Sequence, residues 1–569
     1  MEDVIYDPLE RYKSVYRDAF YKNAVETFDA LAQKAGIDKE RNKALCAEIE
    51  NISSSRDKLS GSRKFFSVLR ILACICAALL FAGPLLFECT EKAPVCWGGS
   101  GVLLVCIFAL LGPKIRKFDE EISNFDYQIQ KKKKEALEQM EPLNALFYWD
   151  IPPRLIEKTV PKLHFDTFFT ESRLAELQSD FGYDGSFNED ASVLFSISGE
   201  ISGNPFVVAN TKNFQMGEKI YTGYRTIHWS ETVIGSDGKR HRVLRSQTLS
   251  ASVTKPCPVY TKLAFVLYGN DAAPHLCFTR KPSHLVEEGF LQNFRRKRKL
   301  RELKKFSRNL KDSSQYTLMG NEEFETLFET KDRNDEVEYR LLFTALAQRQ
   351  MLSLIKERDD AYGDDFTFVK DKKINVIIPG HLNNFDLNTD PANFMHYDYE
   401  KARRNFIQAN REYFRAVYFS MAPLLSIPLY QQMRSQKTLY GENAGRSSFW
   451  EWESIANFYG EERFRHPKCA TECILKTRKK DFTPDGKSRI DVTAYGYAST
   501  RRIDYVPVPG GDGRMHNVPV EWDEYSPVER TSEIRIDEAH IPDMELLKKR
   551  ISERKGGEIY RRGIFSVFR

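Results

Sequence analysis

Two long apolar segments near the N-terminal end dominate the pattern of the chain. Residues 71–87 form an uncharged run of 17, which residues 65–68 extend to about the thickness of a bilayer. Residues 93–113 form a second uncharged run of 21. Because only a short polar insert beginning ECTEK separates them, two helices of this length would have to run antiparallel. The pattern predicts a transmembrane hairpin, with a pair of buried helices in a soluble core as the alternative; the predicted spans are about 65–87 and 94–113.

Charges around these two segments predict the orientation of the hairpin. Five basic residues lie between positions 56 and 70 and three between 114 and 117, whereas the insert holds one Lys against two Glu. Lys and Arg concentrate on the cytoplasmic side of membrane proteins. We therefore expect a multi-pass protein of the cell membrane, with both termini and the large remaining domain in the cytoplasm. Cys89 and Cys96 would then lie outside, where they could form a disulfide or stay as two unpaired thiols.

Apolar residues recur at spacings of three and four on both sides of the predicted hairpin. One such face starts at Leu9 and ends before Gly36, and Asp38 is placed to cap the next helix. Narrower stripes run through residues 45–59 and 115–129. Narrow seams on two antiparallel helices are typical of a coiled coil, so the sequence predicts a helical stalk in the cytoplasm.

Beyond residue 150 the pattern changes from helical spacing to alternation. Segments such as ASVLFSISG, FVVANTKNF and KIYTGYRTIHWSETVI predict strands. Helices are predicted near residues 337–357 and 397–420, and the apolar run MAPLLSIPLYQ is predicted to be a buried corner and not a third span. A β-rich module follows, in which GGDG is interpreted as a hairpin turn, because no strand-loop-helix context for phosphate binding surrounds it.

The predicted fold class is therefore an α+β membrane protein. A chain of 569 residues is too long for one compact core, so several domains are expected. The predicted divisions are N-terminal cytoplasmic helices in 1–64, the transmembrane hairpin in 65–113, the helical stalk in 114–150, an α+β cytoplasmic domain in 151–435 and a C-terminal β-rich module in 436–569.

One segment, FLQNFRRKRKLRELKKFSRNLKD, combines basic charge with helical apolar spacing. It holds nine Lys or Arg between positions 295 and 308 against one Glu. A solvated helix packed on a sheet is one interpretation, and binding to anionic lipid or to a partner is another. Nucleic acid is disfavoured, because aromatic residues do not alternate with the charges and the net charge of the chain is only +5. The candidate binding residues are Arg295, Arg296, Lys297, Arg298, Lys299, Lys304 and Lys305.

Motifs for catalysis or metal binding are sparse. No HExxH, CxxC or GxSxG occurs, and ten cysteines in so long a chain suit a reducing cytosol. The segment HPKCATEC offers His466, Cys469 and Cys473 as a weak candidate for a zinc site. Two buried thiols beside a surface His are the alternative, and the usual spacing of zinc knuckles favours it. We expect no cofactor and assign no catalytic residue.

A resemblance to a known family rests on the segments EFETLFET, DEVEYRLLFTALAQRQMLSLIKE and FTFVKDKKINVII. Together with SVLFSISGEISGNPFVVANTKNF and HWSETV upstream, they resemble a bacterial family of membrane proteins, domain-of-unknown-function family 3137. The resemblance covers about 100–400. It implies two transmembrane helices near the N-terminus followed by a cytoplasmic α+β region, and it transfers no catalytic residue.

These observations favour a membrane-anchored binding or scaffold protein that faces the cytoplasm. Its expected partners are the lipid bilayer and another protein, and the formation of a homo-oligomer is left open. The alternative is a membrane-bound enzyme whose active site is assembled from residues distant in sequence.

Overall fold

The computed structural model describes most of the chain as an α+β protein with one long N-terminal helix and two antiparallel sheets. The chain divides into two compact units. The helical unit comprises Tyr21–Tyr148 and Asp390–Asn410, and the sheet unit comprises Met1–Phe20, Trp149–Thr389 and Arg411–Arg569. The described residues are 7–86, 93–106, 109, 111–185, 188, 190–234, 239–283, 285–286, 289–308, 316–388, 390–434, 446–482, 487–538 and 558–568.

Helices form most of the first 160 residues and recur between the strands. A short π-helical turn, Tyr12–Tyr16, joins the first two. Their bounds are α1 Pro8–Arg11, α2 Arg17–Ala35, α3 Lys39–Leu86, α4 Ala93–Cys106, α5 Gly112–Asn144, α6 Ile151–Thr159, α7 Glu171–Phe181, α8 Phe290–Ser307, α9 Glu322–Phe328, α10 Glu336–Leu342, α11 Ala345–Lys356, α12 Tyr399–Leu425 and α13 Phe449–Tyr459.

The strands form one seven-stranded and one five-stranded sheet. Their orders are β1-β2-β3-β4-β7-β6-β5 and β11-β12-β10-β9-β8, and every neighbouring pair is antiparallel. The bounds are β1 Leu163–Phe165, β2 Ala191–Ile201, β3 Asn204–Ile234, β4 Arg240–Gly269, β5 Cys277–Arg280, β6 Phe366–Asp371, β7 Ile374–Pro379, β8 Ile474–Phe482, β9 Lys487–Pro509, β10 Met515–Asp537, β11 Glu558–Arg561 and β12 Ile564–Phe568.

In the helical unit, α5 packs antiparallel against α3. The ion pairs Arg56–Asp126 at 3.0 Å and Arg63–Asp119 at 2.9 Å join the two helices, so that the residue number rises in one as it falls in the other. An apolar cluster that includes Leu45, Ile49 and Ala136 lies further along the same seam. The antiparallel seam is thus present, whereas a coiled coil in the strict sense stays a prediction. The predicted end of α2 is confirmed by Gly36, whose φ of +64° is left-handed.

One described helix is long and apolar enough to cross a membrane. The candidate segment is Lys39–Ala82 within α3, and only 6% of its most apolar 18-residue window is buried. Helix α4 packs on this part of α3, where Ser100 donates a hydrogen bond to the Ala77 carbonyl at 3.0 Å. The predicted second span is described only in part, and Cys89 and the Cys96 side chain lie outside the described residues. A second crossing and the disulfide therefore stay predictions.

Helix α13 lies between the two sheets and contributes to both of their cores. Trp450 is fully buried against Phe169 and Phe265 in the core of the first sheet. Two positions later Trp452 packs with Ile455 in the core of the second sheet. Residues two apart in a helix point about 200° apart, which explains how neighbouring tryptophans serve opposite layers. The sequence had predicted only β structure here.

Buried carboxylates of α13 hold the backbone of the surrounding segments. Glu451 accepts hydrogen bonds from the Phe169 amide and from the Arg562 guanidinium, each at 2.9 Å. Glu453 accepts one from the Val193 amide at 2.9 Å and pairs with Lys476 at 3.1 Å. Burial raises the pKa of Glu453 to about 7. Each buried acid is thus partnered, as buried charges must be.

Two predictions for the α+β region have different outcomes. The run MAPLLSIPLYQ forms a buried corner as predicted, with Ile427 and Tyr430 enclosed after the end of α12. The single helix predicted over 337–357 is wrong, because it is two helices, α10 and α11. The Thr344 hydroxyl caps the second by accepting from the Ala347 amide, which begins a new helix where the pattern suggested continuity.

Lys370 is buried in β6, and the hydrogen-bond partners of its ammonium among the described residues are backbone carbonyls. Its ammonium donates to the carbonyls of Ala272 at 3.1 Å and Lys372 at 2.5 Å. Burial lowers the pKa of this lysine to about 7. Above that pH the folded protein holds Lys370 neutral, whereas the unfolded chain still binds the proton up to pH 10.5.

We expect this difference in proton binding to make folding stability depend on pH. Because the unfolded state binds the extra proton, the free energy of unfolding should rise with pH in the wild type relative to Lys370→Met, by up to about 1.4 kcal/mol per pH unit. Denaturant unfolding of both proteins between about pH 7 and about pH 9 measures this slope. Parallel stability profiles would show that Lys370 stays charged in the folded protein.

Candidate functional site

Helix α8 is amphipathic, as its sequence predicted. Leu303 is fully buried, and Leu300 and Phe306 are partly buried on the same side. Phe306 also meets the edge of Tyr316, with ring centroids 5.3 Å apart. The apolar stripe therefore packs within the sheet unit, beside α9. Packing of this stripe on a sheet, as the sequence suggested, stays a prediction.

Three of the seven candidate basic residues of α8 are used within the protein. Arg296 donates to the carbonyls of Leu285 at 2.6 Å and Val286 at 2.7 Å. Lys299 pairs with Glu329 at 2.9 Å, and Lys304 pairs with Glu322 at 2.6 Å. These contacts position the helix, so they leave Arg296, Lys299 and Lys304 less suited to binding a partner.

The opposite side of α8 forms an exposed surface that we call the basic face. Its members are spaced as i, i+3, i+4, i+7 and i+11, which places them on one side of a helix. Phe294, 61% exposed, lies at its N-terminal end. Among the described residues, the acid paired with this face is Glu302, 3.3 Å from Arg298 and itself half exposed. The basic face consists of Phe294, Lys297, Arg298, Arg301 and Lys305.

The structure thus divides the predicted basic cluster. Lys297, Arg298 and Lys305 come together on the basic face, and Arg295 is exposed at its flank. Arg301 belongs to the same face and was missed. The helical spacing from Lys297 and Arg298 would have identified it.

Two long β-hairpins leave the sheets and form a second candidate surface. Strand β2 pairs with β3 only up to residue 213, and β7 pairs with β4 only from residue 266. Ribbon A is the two-stranded remainder, residues 214–234 and 240–260, which can reach up to about 70 Å. Ribbon B is the corresponding part of β9 and β10, residues 496–509 and 515–528.

The two ribbons pack face to face over a small core of their own. Ile227 and Leu249 of ribbon A contact Val518 and Val520 of ribbon B. Gly223 permits the close approach, because a Cβ there would lie 2.0 Å from the Pro519 carbonyl oxygen. The shared core of the two ribbons and the Lys255–Asp504 ion pair at 2.7 Å join segments that are far apart in sequence.

Prolines lie on part of the free edge of each ribbon, near the base of ribbon A in β4 and in β9 of ribbon B. In an antiparallel pair, alternate residues direct their N–H and C=O groups away from the partner strand. Pro256 and Pro258 are two residues apart in β4, so their backbone nitrogens face the same side of the strand. The same holds for Pro507 and Pro509 in β9. Proline is tolerated in strands where its nitrogen faces outward. These parts of the edges are therefore poor templates for adding another strand. Strand β3 holds no proline within ribbon A, so its edge is not blocked in this way.

Large apolar side chains point outward from both ribbons. Because successive residues of a strand face opposite sides, Ile220 and Tyr224 lie opposite the core residues of ribbon A, 69% and 67% exposed. Tyr505 on the outer side of ribbon B is 66% exposed, and Ile503 and Met515 lie on that side too. These outer faces offer apolar contact area framed by cross-strand hydroxyl pairs such as Thr222–Ser252.

The weak zinc candidate is brought together only in part. The sulfur atoms of Cys469 and Cys473 lie 3.6 Å apart, beside Gly496, where a Cβ would collide with both. Burial raises the pKa of Cys473 to about 12. The His466 ring nitrogen Nδ1 accepts instead from the Lys468 amide at 3.1 Å. Within the described residues, no group of three or more His, Cys, Asp or Glu side chains could hold a metal ion.

Comparisons with known proteins do not assign the chain to a family. No protein-family model, curated protein or solved structure matches the chain. The resemblance to domain-of-unknown-function family 3137 therefore stays a prediction.

We expect the substitution Gly223→Val to separate the two ribbons. The added side chain would meet the Pro519 carbonyl, and overpacking of this kind costs about 1–3 kcal/mol. Hydrogen–deuterium exchange of both ribbons should accelerate. The control is Thr222→Val on the exposed outer face, which should leave exchange unchanged. Equal exchange in all three proteins would mean that the ribbons do not depend on this contact.

Proposed function

We propose that the protein is a membrane-anchored binding or scaffold protein whose sheet unit works in the cytoplasm. The observation that carries the proposal is the apolar half of α3, which is long enough to cross a membrane and almost entirely unburied. Soluble proteins rarely leave so much contiguous apolar surface in water. In the proposed arrangement α3 and α4 form a hairpin across the bilayer, and the flanking basic residues keep both ends in the cytoplasm.

The exposed side chains that would contact lipid are large and apolar. Complete burial of such a side chain stabilises by about 1.5–3 kcal/mol, and these partly exposed side chains would each gain a fraction of that by contacting lipid. They are Phe65, Val68, Leu69, Ile71, Leu72, Ile75, Leu79, Leu80, Phe81, Trp97, Val102 and Val105.

We expect the wild-type protein to stay in the membrane pellet after extraction with alkaline carbonate. The double variant Ile75→Lys/Leu79→Lys should be released, because a lysine at the centre of a span costs about 2.5–3.5 kcal/mol. Tyr127→Lys is the matched control, since it adds a charge at an exposed position of α5 away from the apolar segment. Release of the wild type by carbonate would contradict membrane anchoring.

The binding role is proposed for the outer faces of the two ribbons. They expose large apolar side chains, Ile220 and Tyr224 on ribbon A and Tyr505 on ribbon B, which offer contact area for a partner. Tyrosine, as at Tyr224 and Tyr505, is among the residues enriched in protein interfaces. A protein partner of the sheet unit is the ligand that these faces fit best.

We expect Ile220→Ser/Tyr224→Ser to abolish co-purification of a protein partner from gently solubilised native membranes. Both side chains are solvent-exposed, so the variant should keep its thermal unfolding midpoint. Leu137→Ser, at an exposed position in the helical unit, is the matched control and should retain the partner. Quantitative mass spectrometry of the purified samples measures the ratio of the partner to the purified protein. A stoichiometric partner that survives the double substitution would exclude this face as its binding site.

A further inference from the structure

We propose that the basic face of α8 binds anionic phospholipid headgroups at the surface of the bilayer. The inference rests on the membrane anchoring proposed above, and it concerns a different part of the chain from the ribbons. The ligand is the phosphate-bearing headgroup of an anionic lipid within a lipid surface.

Charge is the first argument for this ligand. Lys297, Arg298, Arg301 and Lys305 project from one side of α8, with Arg295 at the flank, and all are exposed. Among the described residues, the carboxylate that opposes them is Glu302, which pairs with Arg298. A cluster of this density is attracted to the negative surface potential of anionic membranes.

The second argument is that the face is already ordered. On the other side of the helix Leu303 is fully buried, and Arg296, Lys299 and Lys304 are bound to carbonyls or carboxylates of the sheet unit. These contacts hold α8 in place without using the exposed charges. Binding would therefore require little additional ordering of the backbone, which favours affinity.

The third argument is the exposed aromatic ring within the basic face. Phe294 lies one turn before Lys297 and Arg298 on the same side of α8. The apolar face of α8 is packed on the protein, so Phe294 is the apolar side chain that the basic face can insert among lipid headgroups. Covalent attachment to a membrane-anchored segment also raises the effective concentration of lipid near α8, so a weak contact suffices.

The test measures chemical acetylation of individual lysines in the full-length protein. The protein is reconstituted into vesicles of phosphatidylcholine alone or of phosphatidylcholine with phosphatidylglycerol. We expect labelling of Lys297 and Lys305 to fall at least several-fold when phosphatidylglycerol is present and to recover at high salt, because salt screens exposed charges. Lys262 and Lys468, which are exposed elsewhere in the sheet unit, are the internal controls and should be labelled equally in both vesicles.

A variant then separates this face from general adsorption. The variant Phe294→Ser/Arg298→Gln/Arg301→Gln keeps both reporter lysines, Lys297 and Lys305. We expect that phosphatidylglycerol no longer protects these two lysines from acetylation in this variant. The matched control Val337→Ser/Lys262→Gln/Arg349→Gln removes one exposed apolar side chain and two exposed charges elsewhere, and it should keep the protection of Lys297 and Lys305.

Three outcomes would overturn the inference. These are equal labelling of Lys297 and Lys305 in both vesicles, equal protection of all four lysines, and protection by added RNA but not by phosphatidylglycerol. Flotation of the protein with vesicles of phosphatidylcholine alone reports membrane anchoring separately. If the protein floats while Lys297 and Lys305 are labelled equally with and without phosphatidylglycerol, the proposed lipid site is wrong but membrane anchoring is supported.

Discussion

The sheet unit depends on one constraint, the sharing of helix α13 between two hydrophobic cores. Trp450 is buried on one side of this helix and Trp452 on the other, so neither sheet can complete its core without it. The buried acids Glu451 and Glu453 add directional bonds to that apolar packing. Because unpartnered buried carboxylates would be strongly destabilising, these bonds select one arrangement of the surrounding segments.

The meeting of the two ribbons follows from that arrangement. Ribbon A belongs to the first sheet and ribbon B to the second, and a small core separate from those around α13 closes between them. A two-stranded ribbon alone is marginally stable in water. Packing two of them together buries one face of each. The opposite faces stay exposed and carry large apolar residues such as Tyr224 and Tyr505.

Helix α8 illustrates how one run of like charges can serve two purposes. Arg296, Lys299 and Lys304 satisfy carbonyls and acids of the protein, whereas Lys297, Arg298 and Lys305 face solvent. The division follows from helical geometry, since residues one apart point about 100° away from each other. Basic residues that are adjacent in the sequence therefore need not form a single binding site in the folded protein.

The sequence by itself determined the features that depend on local chemistry. Periodicity predicted the apolar segment of α3, the amphipathic α8, the buried corner after α12 and the hairpin turn between β9 and β10, because each reflects spacing or turn residues within a short window. Only the tertiary structure decided that WEWESIANFY is a helix and that Thr344 starts a new helix. The ribbon contact at Gly223 was likewise invisible, because Pro519 lies almost 300 residues away. Such outcomes depend on partners brought together by folding, and no local pattern encodes them.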